Sequence, residues 1–145
     1  MHKVLIVCVG NICRSPIAAD LLMYQLPALE VSSAGLSAVV GEDVDPTAKL
    51  VAEGHGIRVS PHSARQFTPQ LADSQDLILV LEKWHRREIE RMASPLSGKV
   101  MLLSHWTTGQ NIQDPYGASR LVHEHVFEKL KLATSAWSER LTRML

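Results

Sequence analysis

Cysteine is scarce in this chain of 145 residues: there are two, Cys8 and Cys13, and both lie in one short segment. They cannot staple distant parts of a fold. Without a C-x-x-C spacing or a second pair they do not make a zinc site either. Net charge is also lacking. Lys plus Arg number 15 and Asp plus Glu number 15, so the formal charge is zero. A nucleic-acid-binding domain needs a basic face to neutralise phosphates, and this balance argues against one. The pair Arg86-Arg87 reads as a solvated helix face. No apolar run is long enough to span a bilayer, so no membrane insertion is expected. The stretch Val4 to Val9 follows Met1-His2-Lys3 directly, with no charged region of normal length before it, and Gly10-Asn11 breaks it. It reads as a buried strand, and the protein as cytoplasmic. Repeats, low-complexity tracts and linkers are missing too. Residues 1–145 therefore read as one domain of ordinary size. Hydrophobic residues at 46% and charged residues at 21% supply one normal core.

What is present is an alternation of strands and helices. Val4 to Val9 is a continuous apolar run, as in a strand buried on both faces of a parallel sheet. Ser15-Pro16 reads as a hydroxyl cap and a proline at the first helical position, opening a helix that ends near Pro27. A second strand covers Leu29 to Ala34 and closes at Gly35. Asp45-Pro46 opens a helix to about Gly54, and Thr68-Pro69 opens a short one. Asp76 to Leu81 is the next buried strand. Lys83 to about Met92 is helical, with Pro95 and Gly98 ending it. Lys99 to Leu103 is the last strand. Ser104 to Ser119 has no clean period and reads as a long loop. From Leu121 onward Val122, Val126, Leu130, Ala133, Trp137 and Leu141 recur every three or four residues, the stripe of a core-facing helix. Such alternation implies an α/β fold with a parallel sheet covered on both faces. Sites in these folds lie beyond the carboxyl ends of strands.

The first such place is the loop Cys8-Val9-Gly10-Asn11-Ile12-Cys13-Arg14-Ser15. Its backbone N–H groups can turn inward around an anion, with Gly10 easing the turn. The following helix adds the positive end of its dipole. Arg14 can lay a planar fork on two phosphate oxygens. These groups favour the thiolate of Cys8, which stands at the mouth of the cradle. A thiolate in an anion nest is built to attack the phosphorus of a phosphate monoester, giving a phosphocysteine that water then hydrolyses. A kinase-type phosphate loop is excluded, because no G-K-[ST] is present. Ser15 can both cap the helix and donate a hydrogen bond to the thiolate. Cys13 reads either as a filler of loop space or as a thiol that traps oxidised Cys8 in a disulfide.

The segment Val7-Cys8-Val9-Gly10-Asn11-Ile12-Cys13-Arg14-Ser15-Pro16 resembles the signature loop of the low-molecular-weight protein tyrosine phosphatases. Similarity extends through Ser33-Ala34-Gly35, His62-Ser63-Ala64-Arg65-Gln66 and Asp114-Pro115-Tyr116, in the family's order and spacing. Ala34-Gly35-Leu36 and the segment from Gly98 to Trp106 look most like bacterial members encoded with exopolysaccharide or capsule export systems. The resemblance implies one three-layer domain whose four-stranded parallel sheet has the order 2-1-3-4. It implies hydrolysis of phosphotyrosine with Cys8 as nucleophile, Arg14 as phosphate clamp and Asp114 as general acid, the acid later acting as base toward water. Val9, Gly10, Asn11, Ile12, Cys13 and Ser15 would surround the phosphate. Tyr116 and Val39 or Val40 would wall the pocket, and Ser33 and His62 would join Asn11 in a supporting network. The implied substrate is the tyrosine-rich tail of a membrane-associated bacterial tyrosine kinase that controls polysaccharide polymerisation. Neither a cofactor nor a metal is implied.

Three rival readings stand beside this one. An arsenate reductase on the same scaffold needs further cysteines to relay a disulfide outward, and the chain has none beyond Cys13. Family members that hydrolyse phosphoarginine carry a threonine where Ile12 stands, and the apolar Ile12 favours an aryl phosphate. A phosphopeptide-binding module would need the cradle and Arg14 but neither Cys8 nor Asp114.

Overall fold

A computed structural model describes residues 2–93 and 98–144. Four strands form one parallel sheet: β1 (Lys3–Cys8), β2 (Glu30–Gly35), β3 (Leu77–Val80) and β4 (Val100–Leu102), in the order β2-β1-β3-β4. This is the order that the family resemblance implies. The register pairs Cys8 with Gly35 on one side of β1 and Val7 with Val80 on the other. β1 is therefore a central strand, and its neighbours are reached in opposite directions. Ligands of doubly wound sheets gather at such a switch point.

The apolar run of β1 divides by parity between two cores, because successive side chains of a strand point to opposite faces. Val4, Ile6 and Cys8 pack with α1 (Arg14–Gln25), α2 (Pro46–Gly54) and α5 (Arg120–Thr142). Leu5 and Val7 pack on the other face with Ala72 of α3 (Pro69–Asp73) and Ile89 of α4 (Lys83–Met92). The stripe foreseen on the last helix is buried from Val126 through Leu130, Ala133 and Trp137 to Leu141. Each large apolar side chain buried there contributes about 2 kcal/mol of transfer free energy.

Helix starts follow the sequence signals with one exception. Asp45 caps α2 by accepting N–H bonds from Thr47 and Ala48, and Thr68 caps α3. The first helix, however, begins at Arg14 with Cys13 at the capping position and no side-chain cap. Ser15 is thus inside the first turn and caps nothing, because its hydroxyl is engaged elsewhere. Within the loop expected from Ser104 to Ser119, Leu103–Trp106 forms a 3-10 turn. Pro95, expected to end α4, lies outside the described residues. No helix among the described residues is long and apolar enough to cross a membrane.

Candidate active site

The loop from Cys8 to Arg14 is fastened from outside. Five successive carbonyls each accept a hydrogen bond from a distant group. Cys8 O accepts from Leu36 N at 2.9 Å, Val9 O from Ser37 N at 3.0 Å and Gly10 O from Val39 N at 3.1 Å. Asn11 O accepts from His62 Nε2 at 2.6 Å, and Ile12 O from Asp45 N at 2.8 Å. Because a carbonyl only accepts, Nε2 of His62 must carry the proton. With these five carbonyls turned outward, the N–H groups of Val9 through Cys13 are left inside. None of them donates to an acceptor among the described residues. The result is a concave nest of amide donors opening onto the N-terminus of α1.

Asn11 holds the shape. It is the one residue other than glycine with a positive φ, 60°, among those described. Its buried side chain is fully used: Nδ2 donates to Ser15 Oγ at 2.8 Å and to Ser33 Oγ at 2.9 Å, while Oδ1 accepts from Arg65 N at 2.9 Å. These bonds offset the ~1 kcal/mol that the left-handed conformation costs. Gly10 has an ordinary φ, and a Cβ there would only touch Ile12 and Val39 at 3.6 Å. The tight turn expected of Gly10 is thus made by Asn11 instead. Gly35 is the glycine that the loop needs, since a Cβ there would stand 2.3 Å from Val9 O.

Ser15 Oγ lies 2.9 Å from Cys8 Sγ in the buried base of the nest. Having accepted from Asn11 Nδ2, the hydroxyl keeps its own proton to donate to the sulfur. Asn11 thus bonds Ser15 and Ser33 through its side chain and His62 through its carbonyl. Cys13 is also buried. Its thiol is pushed far above the ordinary range, first by burial and then by the carboxylates of Asp45 and Asp114, so it stays protonated.

Arg14 is 1% exposed. Its Nη1 donates to Glu82 Oε2 at 2.6 Å and to Ile112 O at 2.7 Å. Nη2 lies 3.8 Å from Asp114 Oδ2, and Nε is buried with no partner. A buried guanidinium N–H without an acceptor costs free energy unless an anion fills the place. Asp114 Oδ1 accepts the Tyr116 N–H at 3.1 Å, the local turn that Asp-Pro suggests. The same carboxylate reaches the mouth of the nest. Above the loop is a cavity of about 220 Å³, walled by Ser37, Val39, Asp114 and Tyr116. Val39 lines it, whereas Val40 is 69% exposed and does not. A larger cavity, about 320 Å³, lies against Asp20, Ser33, His62 and Arg65, and no cysteine lines it. Among the described residues no group of three His, Cys, Asp or Glu could hold a metal ion.

Two residues of the site were not legible as such. Glu82, at the cap of α4, and His85, one turn later, sit directly behind Arg14. A Glu-x-x-His following a buried strand was the available signal, and it resembles an ordinary helix start.

A parallel sheet with a cysteine at the switch point, beneath a ring of inward amides and a buried arginine, defines the class of cysteine-based phosphate sites. Residues 3–145 match the family model described as low molecular weight phosphotyrosine protein phosphatase. The chain belongs to that family. It is 43% identical over 143 residues to the probable low molecular weight protein-tyrosine-phosphatase AmsI of Erwinia amylovora, covering 99% of each chain. It superposes with a TM-score of 0.94, at 40% identity, on the crystal structure of the tyrosine phosphatase Wzb from Escherichia coli K30 in complex with sulphate, covering 96% of this chain and 97% of that one. The arginine phosphatase YwlE from Geobacillus stearothermophilus also superposes, with a TM-score of 0.92 at 31% identity, over 99% of this chain and 95% of its own.

Proposed function

We propose that this chain is a protein-tyrosine phosphatase that works through a phosphocysteine on Cys8. The observation that carries this reading is the loop's polarity: carbonyls fastened outward, amides left inward, and sulfur at the base. A bound phosphate monoester would set its equatorial oxygens against the amides of residues 9–13 and the free Nε of Arg14. Cys8 Sγ then attacks phosphorus as the phenolic oxygen departs, and Asp114 gives that oxygen a proton. In the second step Asp114 takes a proton from water, and the oxygen attacks phosphorus. The P–S bond breaks to release inorganic phosphate and return the thiolate. The Ser15 hydroxyl stabilises sulfur as nucleophile and as leaving group alike.

The walls favour an aromatic ester. Ile12 and Val39 approach the site over Gly10, and the ring of Tyr116 stands at the mouth. An aryl group gains from such apolar contact and from offset stacking, whereas a guanidinium would lose water against Ile12 and Val39 and find acceptors only at Asp114 and Ser37. The likeness to YwlE makes phosphoarginine the second reading to test. For the physiological substrate, the resemblance of the segments at Ala34 and Gly98 to capsule-associated members supports the tyrosine-rich tail of a membrane-associated bacterial tyrosine kinase, met in the cytoplasm.

Three measurements test the reading. Cys8→Ser abolishes turnover of p-nitrophenyl phosphate, and retained turnover would overturn the nucleophile assignment. Asp114→Ala slows phenyl phosphate by about 10²-fold or more, but p-nitrophenyl phosphate much less. Equal slowing of both esters removes the acid role. Phosphotyrosine peptides are hydrolysed in preference to phosphoarginine peptides, and the reverse order establishes the second reading.

A further inference from the structure

His85 is wholly buried, and the mechanism above makes no use of it. Its polar contacts converge on Glu82, and its ring also meets that of Trp84 edge to face. The His85 backbone N–H donates to the Glu82 carbonyl at 3.0 Å and also serves the Glu82 carboxylate, while its ring Nδ1 accepts the Glu82 N–H at 3.2 Å. The last of these settles the tautomer. A ring nitrogen that accepts from an N–H carries no proton, so in the neutral ring the proton sits on Nε2. That Nε2–H lies 3.5 Å from Glu82 Oε2, and Nε2 is buried without a hydrogen-bond partner. Oε2 is the oxygen that takes Nη1 of Arg14 at 2.6 Å.

The geometry points to His85 as a positioning residue for Arg14: by clamping Glu82 it fixes the carboxylate that engages Nη1, so that Nε and the far edge of the guanidinium face the phosphate. The inference rests on the proposed phosphate role of the loop. A guanidinium has five N–H donors in one rigid plane, and fixing one nitrogen orients the others. Nη1 is held at two points, by Glu82 Oε2 and by Ile112 O. Ile112 in turn is held by its own N–H to Leu81 O at 2.9 Å, one residue before Glu82. The residues just after β3 therefore supply one arm of the holder, Glu82, and fasten the other, Ile112. A neutral ring suits this purpose, since a cationic one would compete with Arg14 for the same carboxylate. Burial, and then the charge of Arg14, lower the His85 pKa to about 4 and keep it neutral.

The alternative is that His85 merely caps α4. His85→Gln separates the two, because glutamine at this position of a capping box still accepts the Glu82 N–H. Inorganic phosphate is titrated into the unmodified protein, His85→Gln, Arg14→Lys and the double variant, following backbone amide NMR shifts of Gly10 and Asn11. His85→Gln should weaken phosphate binding by about tenfold in the parent, the scale of a misdirected charge-assisted hydrogen bond, and by less than about twofold in the Arg14→Lys background. Unchanged binding in His85→Gln, or an equal loss in both backgrounds, overturns the inference. Nitrogen NMR of the unmodified protein gives an independent check that no variant can spoil. A proton on Nδ1 rather than Nε2 also overturns it. If the unmodified protein binds no phosphate at all, the reading of the loop fails instead.

Discussion

Replacing Asn11 tests how the nest is held. Asn11→Ala keeps the Cβ but removes three hydrogen bonds, those to Ser15 Oγ, to Ser33 Oγ and from Arg65 N. At about 1 kcal/mol each they amount to about 3 kcal/mol, and the stranded, part-buried N–H of Arg65 adds about 1 kcal/mol more. The loss of about 4 kcal/mol is a large part of the total stability of a domain this size, about 5–15 kcal/mol. Asn11→Gly loses the same bonds but is at ease at a φ of 60°, and should recover about 1 kcal/mol relative to alanine. Urea unfolding of the three proteins reads both quantities, provided the slope m is unchanged. Activity should fall in both variants, because the Ser15 hydroxyl loses the donor that directs its proton to Cys8. A loss below about 1.5 kcal/mol in Asn11→Ala, or an alanine variant at least as stable as the glycine one, would show that the side chain does not hold the loop.

The other predictions concern single contacts. Gly35→Ala drives a Cβ to within 2.3 Å of Val9 O, so it should cost more than about 2 kcal/mol by overpacking and lower turnover as well; a stable, fully active variant would refute the close approach. His85 titrates at about 4 in the folded protein against 6.5 when free, so the unfolded chain binds the extra proton between those values and stability drops as pH falls from 6.5 to 4, by up to about 3 kcal/mol. His85→Gln should flatten that slope, and an unaltered pH profile of unfolding would contradict it. After peroxide converts the Cys8 thiolate to a sulfenic acid, attack by Cys13 needs a thiol that burial keeps protonated. The Cys8–Cys13 disulfide should therefore form slowly at neutral pH and gain on sulfinic acid at pH 9; mass spectrometry showing equal partition at both values removes the argument.

The sheet and its helices were readable because their signals are local. A six-residue apolar strand, Asp-Pro and Thr-Pro starts and a stripe of period three to four each declare themselves within a few residues. The loop from Cys8 to Arg14 was readable as a candidate site for the same reason, as Cys8, Arg14 and the helix start are contiguous. Two local signals misled. Ser-Pro looks like a cap, but the hydroxyl of Ser15 is drawn instead to Cys8 and Asn11, and α1 begins two residues earlier. Gly10 looks like the turn residue, yet four hydrogen bonds let Asn11 take the left-handed conformation. What stayed hidden is long-range. Nothing near Arg14 in the chain announces Glu82 or Ile112, which meet it only when β3 and the loop after β4 come together.

That last meeting has a consequence for how the protein is made. A ribosome delivers residues 8–14 well before residues 82, 112 and 114. Until then the guanidinium has no counter-charge to enter the interior with, and burying it alone costs several kcal/mol. A nascent chain thus carries Cys8 without the arginine in place beside it, and the site is assembled only after residues 82 to 114 have been made.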